Sequence, residues 1–215
     1  MYFICSKQYL VMTAMRRQEF LSDNLEEFEE ICQRAHLGYL GLIDSRDYPR
    51  IVPLNFIQLD HNIYFHGAQE GEKFELMSAN PKASFSVDLP FAFIPSYWQS
   101  KQSAEPTSYF FKSLHIRGKG SLVTDTSKKA EVLQAMMKKY QPEGGYAKIE
   151  TSNPIYRKPL EKVGVFEVFN EEFTMKLKFG QNISDRLIEP IIAGLQERGL
   201  PMDLETIANI RKYRQ

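Results

Sequence analysis

At 215 residues and 43% hydrophobic content, the chain can bury one substantial core, and its length fits one domain or a domain with an appendage. Lys plus Arg and Asp plus Glu each number 27, so the net charge is zero and no whole-molecule field draws the chain to nucleic acid or to an acidic membrane. The two cysteines, Cys5 and Cys32, form no CxxC pair and have no histidine at metal-ligand spacing, which argues against a disulfide framework or a zinc site.

In chain order, apolar patches at Tyr2–Ile4 and Tyr9–Met12 are broken by Lys7, Gln8 and Arg16-Arg17 before a signal peptide or membrane span is reached. The expectation is a cytoplasmic protein with no membrane partner and an N-terminal extension over 1–15. Met12 and Met15 are both candidate starts. Ser22, Asp23 and Asn24 offer N-caps for an amphipathic helix with Leu25, Phe28, Ile31 and Cys32 on its apolar side, ending near His36. Cys32 is expected to pack there as a small hydrophobe.

Gly38–Ile43 and Arg50–Ile57 read as strands joined by a turn at Asp44–Asp47, and Ile63–His66 as a third. A helix is expected over Glu72–Ala79, stopped by Asn80-Pro81. Strands follow at Ala83–Val87 and Leu114–Val123, with Pro90–Tyr109 between them as a long irregular loop that could cover a site. Lys128–Tyr140 has helical spacing. Val163–Phe169 and Phe173–Phe179 read as two further strands, and Ser184–Arg214 as two helices separated at Arg198–Pro201, with Asp203 as N-cap of the second. About seven strands with few intervening helices predict a mainly β chain with peripheral helices (α+β) and an antiparallel barrel. No GxGxxG follows a strand, so a Rossmann site is not supported.

The chemistry concentrates in Tyr48–Phe56, Ile63–Lys73 and Asn80–Val87. Pro53 removes a ladder donor, which places it at a sheet edge or where the sheet opens, with backbone groups left for a ligand. His66 ends a strand just before Gly67-Ala68, where small residues allow a flat ligand to approach. Gly71-Glu72-Lys73 precedes a helix whose N-terminal amides, with the lysine, favour a phosphate. Arg50 either reaches that phosphate or lies on the surface. Ser113 and His115 share one strand face, so both point to a site or both to solvent. Tyr97 and Trp98 are read as packing rather than stacking residues, and Glu171-Glu172 as solvated surface without a partner for acid–base work.

These segments resemble the FMN-binding split barrels of the pyridoxamine-phosphate-oxidase-like superfamily, most nearly the nitroimidazole-resistance flavoproteins. The resemblance rests on Arg16-Arg17, Tyr48-Pro49, Val52-Pro53-Leu54, Tyr64–Ala68, Gly71, Lys73, Asn80 and Phe85. Phe111–Gly120 is similar to a family strand in which Ser113 matches a residue near the flavin. Ile94–Trp98 and Met175–Asn182 resemble the FMN-binding negative transcriptional regulators. The resemblance implies a split-barrel domain over 16–182 and a helical appendage over 183–215. It implies FMN at a homodimer interface, with Lys73 on the phosphate, Val52, Pro53, Leu54 and Asn55 along the ring system, and Gly71, Arg50, Ser113 and His115 as further contacts. His66 would be the catalytic residue, as a proton donor or substrate contact. The implied activity is reduction of a small electrophile such as a nitroaromatic by a nicotinamide-type donor, NAD(P)H. The alternatives are a flavin-binding regulatory protein, or a barrel that binds haem or a deazaflavin.

Overall fold

The computed structural model describes residues 10–11 and 15–214, so most of the N-terminal extension, Cys5 and Met12 among it, lies outside the described residues. The elements in chain order are β1 (Leu10–Val11), β2 (Leu21–Ser22), α1 (Leu25–Arg34), β3 (Gly38–Ile43), β4 (Pro49–Leu54), β5 (Ile57–Leu59), β6 (Asn62–Gly67) and α2 (Glu72–Ala79). There follow β7 (Lys82–Ile94), β8 (Ser108–Leu122), α3 (Thr126–Tyr140), α4 (Pro154–Lys162), β9 (Gly164–Lys178), α5 (Asp185–Arg198) and α6 (Pro201–Tyr213). The strands form one sheet in the order β4-β3-β7-β8-β9-β6-β5, with β1 and β2 paired to β9. The pairings whose register is described are antiparallel except β1 with β9.

The chain divides into two units. Among the described residues, one draws on 10–11, 24–87 and 115–173, the other on 15–23, 88–114 and 174–214. In the first, α1 is capped by Asn24, whose side chain accepts from the Glu26 N–H, and it buries Phe28, Ile31 and Cys32. Burial of each large apolar side chain contributes roughly 1.5–3 kcal/mol. Phe56 packs edge-on against Phe85, and Phe65 stacks on Phe166. α3 starts at the Asp125 cap and lays Val132 and Met136 against Ile57, Tyr64 and Val165. In the second unit, Phe179 is ringed by Phe91, Phe110 and Tyr213, with Leu195 and Ile210 buried from α5 and α6.

Several expected elements are redrawn. The strand expected over Arg50–Ile57 breaks into β4 and β5, because the Tyr140 hydroxyl takes the Phe56 N–H and donates to the Phe56 carbonyl, both at 2.9 Å. The Lys139 ammonium donates to the same carbonyl at 3.1 Å. A side-chain substitute for a ladder lets the chain pass from one end of the strand order to the other. The loop expected over Pro90–Tyr109 is shorter, since β7 runs to Ile94 and β8 begins at Ser108. Pro90 lies in β7 beyond the Ser84–Ser86 stretch that pairs with β3, so its missing N–H breaks no pair of that ladder.

The two strands expected after Val163 are one, β9. Its buried positions shift from Phe166, Val168 and Asn170 to Phe173, Met175 and Leu177, a one-residue slip of the kind a β-bulge makes. Asn170 is held at the slip by the Asn62 carboxamide, which accepts its N–H at 3.0 Å. The N-cap of α6 is Leu200 and not Asp203. Asp203 sits one turn in, where its carboxylate accepts the Leu200 N–H at 2.8 Å. α4 has no counterpart among the expected elements, although the Asn153 cap and Pro154 at its first position mark a helix start. Pro159 inside it obscures the pattern.

Candidate functional site

The first unit holds all the expected site residues except Ser113, and it brings Arg50, Gly71 and Lys73 together at the head of α2. Gly71, at φ +86°, is the N-cap, and no side chain caps the helix. The first amides of α2 therefore keep their donor capacity at the positive end of the helix. Arg50 reaches that turn from β4, where its Nε donates to the Glu72 carboxylate at 2.7 Å. Lys73 turns back over the stacked pair Phe65 and Phe166, with Nζ 5.1 and 5.3 Å from the ring centres. Gly67 makes this possible: a Cβ there would stand 2.6 Å from Nζ. Its ladder partner Gly164 is equally constrained, since a Cβ on it would meet the Gly67 carbonyl at 2.7 Å.

Burial lowers the Lys73 pKa from the usual lysine range. His66 also titrates below its ordinary value, chiefly through desolvation and then through the charge of Lys73. Strand alternation sends His66 to the face opposite Phe65 and Gly67, so the Lys73 charge acts on the imidazole across β6 rather than from beside it. The imidazole nonetheless reaches solvent.

β4 ends the strand order, so Pro53 does lie on an edge strand. Val52 and Leu54 alternate with the exposed Pro53, on the same side of β4 as Arg50. Asn55 is exposed just past the strand, and its side chain hydrogen-bonds the Tyr140 hydroxyl. This ties it to the β4–β5 break. His115 is exposed on β8, whereas Ser113 is buried and belongs to the second unit.

Of the residues read as structural, Cys32 is buried and its thiol is pushed up to about 12 by desolvation. Trp98 packs on α5, where a Cβ on Gly194 would lie 2.3 Å from its ring. Tyr97 is exposed. Glu171 and Glu172 do find partners, Lys119 at 2.8 Å and Arg117 at 3.3 Å, both as surface pairs. Sequence reading missed the Arg50–Glu72 link and Tyr140. It also missed an apolar face on β3 and β4, where Tyr39, Ile43 and Ile51 are exposed and the register sets Tyr39 by Pro53 and Ile43 by Pro49.

Comparison with known proteins decides the family. The sequence pattern of the pyridoxamine 5'-phosphate oxidase family matches residues 24–177, well over half of the chain. The chain belongs to the pyridoxamine 5'-phosphate oxidase family. No curated protein is matched in sequence at a significant level. Among solved structures, the chain is similar to a Bacteroides thetaiotaomicron protein named for 5-nitroimidazole antibiotic resistance, with 22% identity and a TM-score of 0.58 over 73% of this chain and 85% of that one. The flavocytochrome Anf3 of Azotobacter vinelandii gives 21% identity and a TM-score of 0.63 over 76% and 72%. An FAD and haem binding protein of Mycobacterium smegmatis gives 16% and 0.59 over 79% and 78%. At these identities the likeness is one of fold, and that fold is the split antiparallel β-barrel with peripheral helices that the sequence resemblance implied. Among the described residues, no helix of this oxidase-family chain is long and apolar enough to cross a membrane.

Proposed function

We propose that the protein binds FMN and is an oxidoreductase that reduces a small electrophile, such as a nitroaromatic, with a nicotinamide-type donor. The observation that carries the reading is the half-buried Lys73 ammonium beside the uncapped head of α2. A partly desolvated lysine with amide donors near it suits a phosphate. Membership of the pyridoxamine 5'-phosphate oxidase family supports the flavin, and the nitroimidazole-resistance relative supports the substrate class.

In this reading Lys73 and the first amides of α2 hold the phosphate. Arg50, kept at the same turn by Glu72, adds guanidinium N–H donors, and the exposed edge of β4 from Val52 to Asn55 offers backbone groups to the rings. A bound flavin supplies the electron-transfer chemistry. His66, neutral at pH 7 because its pKa is lowered, presents one N–H and one lone pair to a substrate and gains a second donor when protonated. A proton-donating role makes turnover rise as pH falls through that lowered pKa.

The exposed apolar face on β3 and β4 supports a homodimer, since a second copy would cover it. The test is direct. NAD(P)H should reduce the FMN-loaded protein anaerobically, a nitroimidazole should reoxidise it, and His66→Ala should slow that turnover while FMN is retained. Absence of turnover with any nicotinamide donor would remove the enzyme reading.

A further inference from the structure

The second unit contains a pocket of about 410 Å³ that the flavin reading leaves unused. Arg17, Phe20, Ser108, Lys178, Asn182 and Leu187 are among its walls. Two of them, Lys178 and Asn182, come from the Met175–Asn182 stretch whose sequence stood apart from the rest of the domain.

Its charge is unbalanced. Lys178 donates one of its three protons to the Ser108 hydroxyl at 2.6 Å. Lys176 lies two residues earlier on the same strand face, and both ammonium groups stand over the Phe111 ring, at 5.4 and 5.9 Å. Burial, Lys176 and Arg17 all push the Lys178 pKa down, so the three cations act on one another. Of the acids nearby, Glu19 pairs with Arg17 at 3.1 Å and Glu105 is at the pocket wall. α5 starts here as well. Its N-cap Ser184 makes no side-chain capping bond, and Asp185 in its first turn is drawn off by Arg214 at 2.8 Å.

Like charges gathered in a half-buried site raise the energy of the empty protein and are relieved by an anion. We propose that this pocket binds a phosphate-bearing small molecule, its phosphate on Lys178, Arg17 and the head of α5 and its apolar body against Phe20 and Leu187. The volume lies within the usual range for small-molecule sites, roughly 300–1,000 Å³. Two protons of Lys178 remain for the phosphate oxygens.

The probe is phenyl phosphate, titrated calorimetrically into the full chain. Saturable binding is expected, weakened at least about tenfold in Lys178→Met. Lys178→Arg should restore it and Lys73→Met should leave it unchanged. If Lys178→Met does not fold, Arg17→Gln, which alters a more exposed side chain, reads the same loss. No saturable binding to the wild type, or binding lost with Lys73→Met but not with Lys178→Met, overturns the proposal. The second result would place the phosphate at α2 and leave the flavin reading intact.

Discussion

Lys73 owes its position to an absence. Gly67 vacates the space its ammonium fills, and two stacked phenylalanines hold the charge from below. That charge, after desolvation, depresses His66, so Lys73→Met should raise the His66 titration midpoint toward the ordinary value of about 6.5. Proton NMR of the imidazole checks it, and an unmoved midpoint would leave burial as the sole cause. A second residue, Tyr140, bonds both backbone groups of Phe56 where β4 gives way to β5. Tyr140→Phe leaves the buried Phe56 N–H without that acceptor and should cost about 1–3 kcal/mol in urea unfolding. Legibility at this scale followed distance along the chain. His66, Gly67, Gly71 and Lys73 lie within one short stretch, so their chemistry could be read together. Arg50 with Glu72, and Phe56 with Tyr140, are partners only after folding, and nothing local in the sequence pairs them.

Among the elements, those with one uninterrupted period were readable. β3 and α2 fall where the pattern puts them, while β9 appeared as two strands because its buried set slips by one residue near Glu171. The last two helices were also visible, but what holds them was not. Gly194 of α5 lies against the Trp98 ring with no room for a methyl group, so Gly194→Ala should destabilise the chain by about 1–3 kcal/mol in thermal unfolding. At the α5–α6 turn, Arg198 grips Asp203 through two bonds, at 2.5 and 3.0 Å, and donates to the Phe93 carbonyl at 2.8 Å. The Arg198 hydrogen bonds hold the Asp203 pKa below the usual aspartate value of 3.8. Its stabilisation is therefore complete above that value and is lost as pH falls through the lower, folded one. Asp203→Asn should flatten the acid limb of the stability curve below about pH 4. An unchanged limb would show that other carboxylates set it.

For the whole molecule, many strands with few intervening helices and no dinucleotide fingerprint point to an antiparallel barrel, and the family match and the strand order agree with it. The positions of β4 and β5 at opposite ends of that order were not legible, since the sequence ran them together as one strand. The apolar face on β3 and β4 also emerged only once the register was known. If a second copy covers it, Ile51→Glu should shift the protein from dimer to monomer in sedimentation. The central claim is that Lys73 and the head of α2 hold a flavin phosphate. Its most direct test is an absorbance spectrum of wild type and Lys73→Met after incubation with FMN and desalting. Bands near about 370 and 450 nm retained by the wild type and largely lost by folded Lys73→Met are the predicted result. Equal retention by both, a Soret band of haem in their place, or no retained chromophore in the wild type would contradict it.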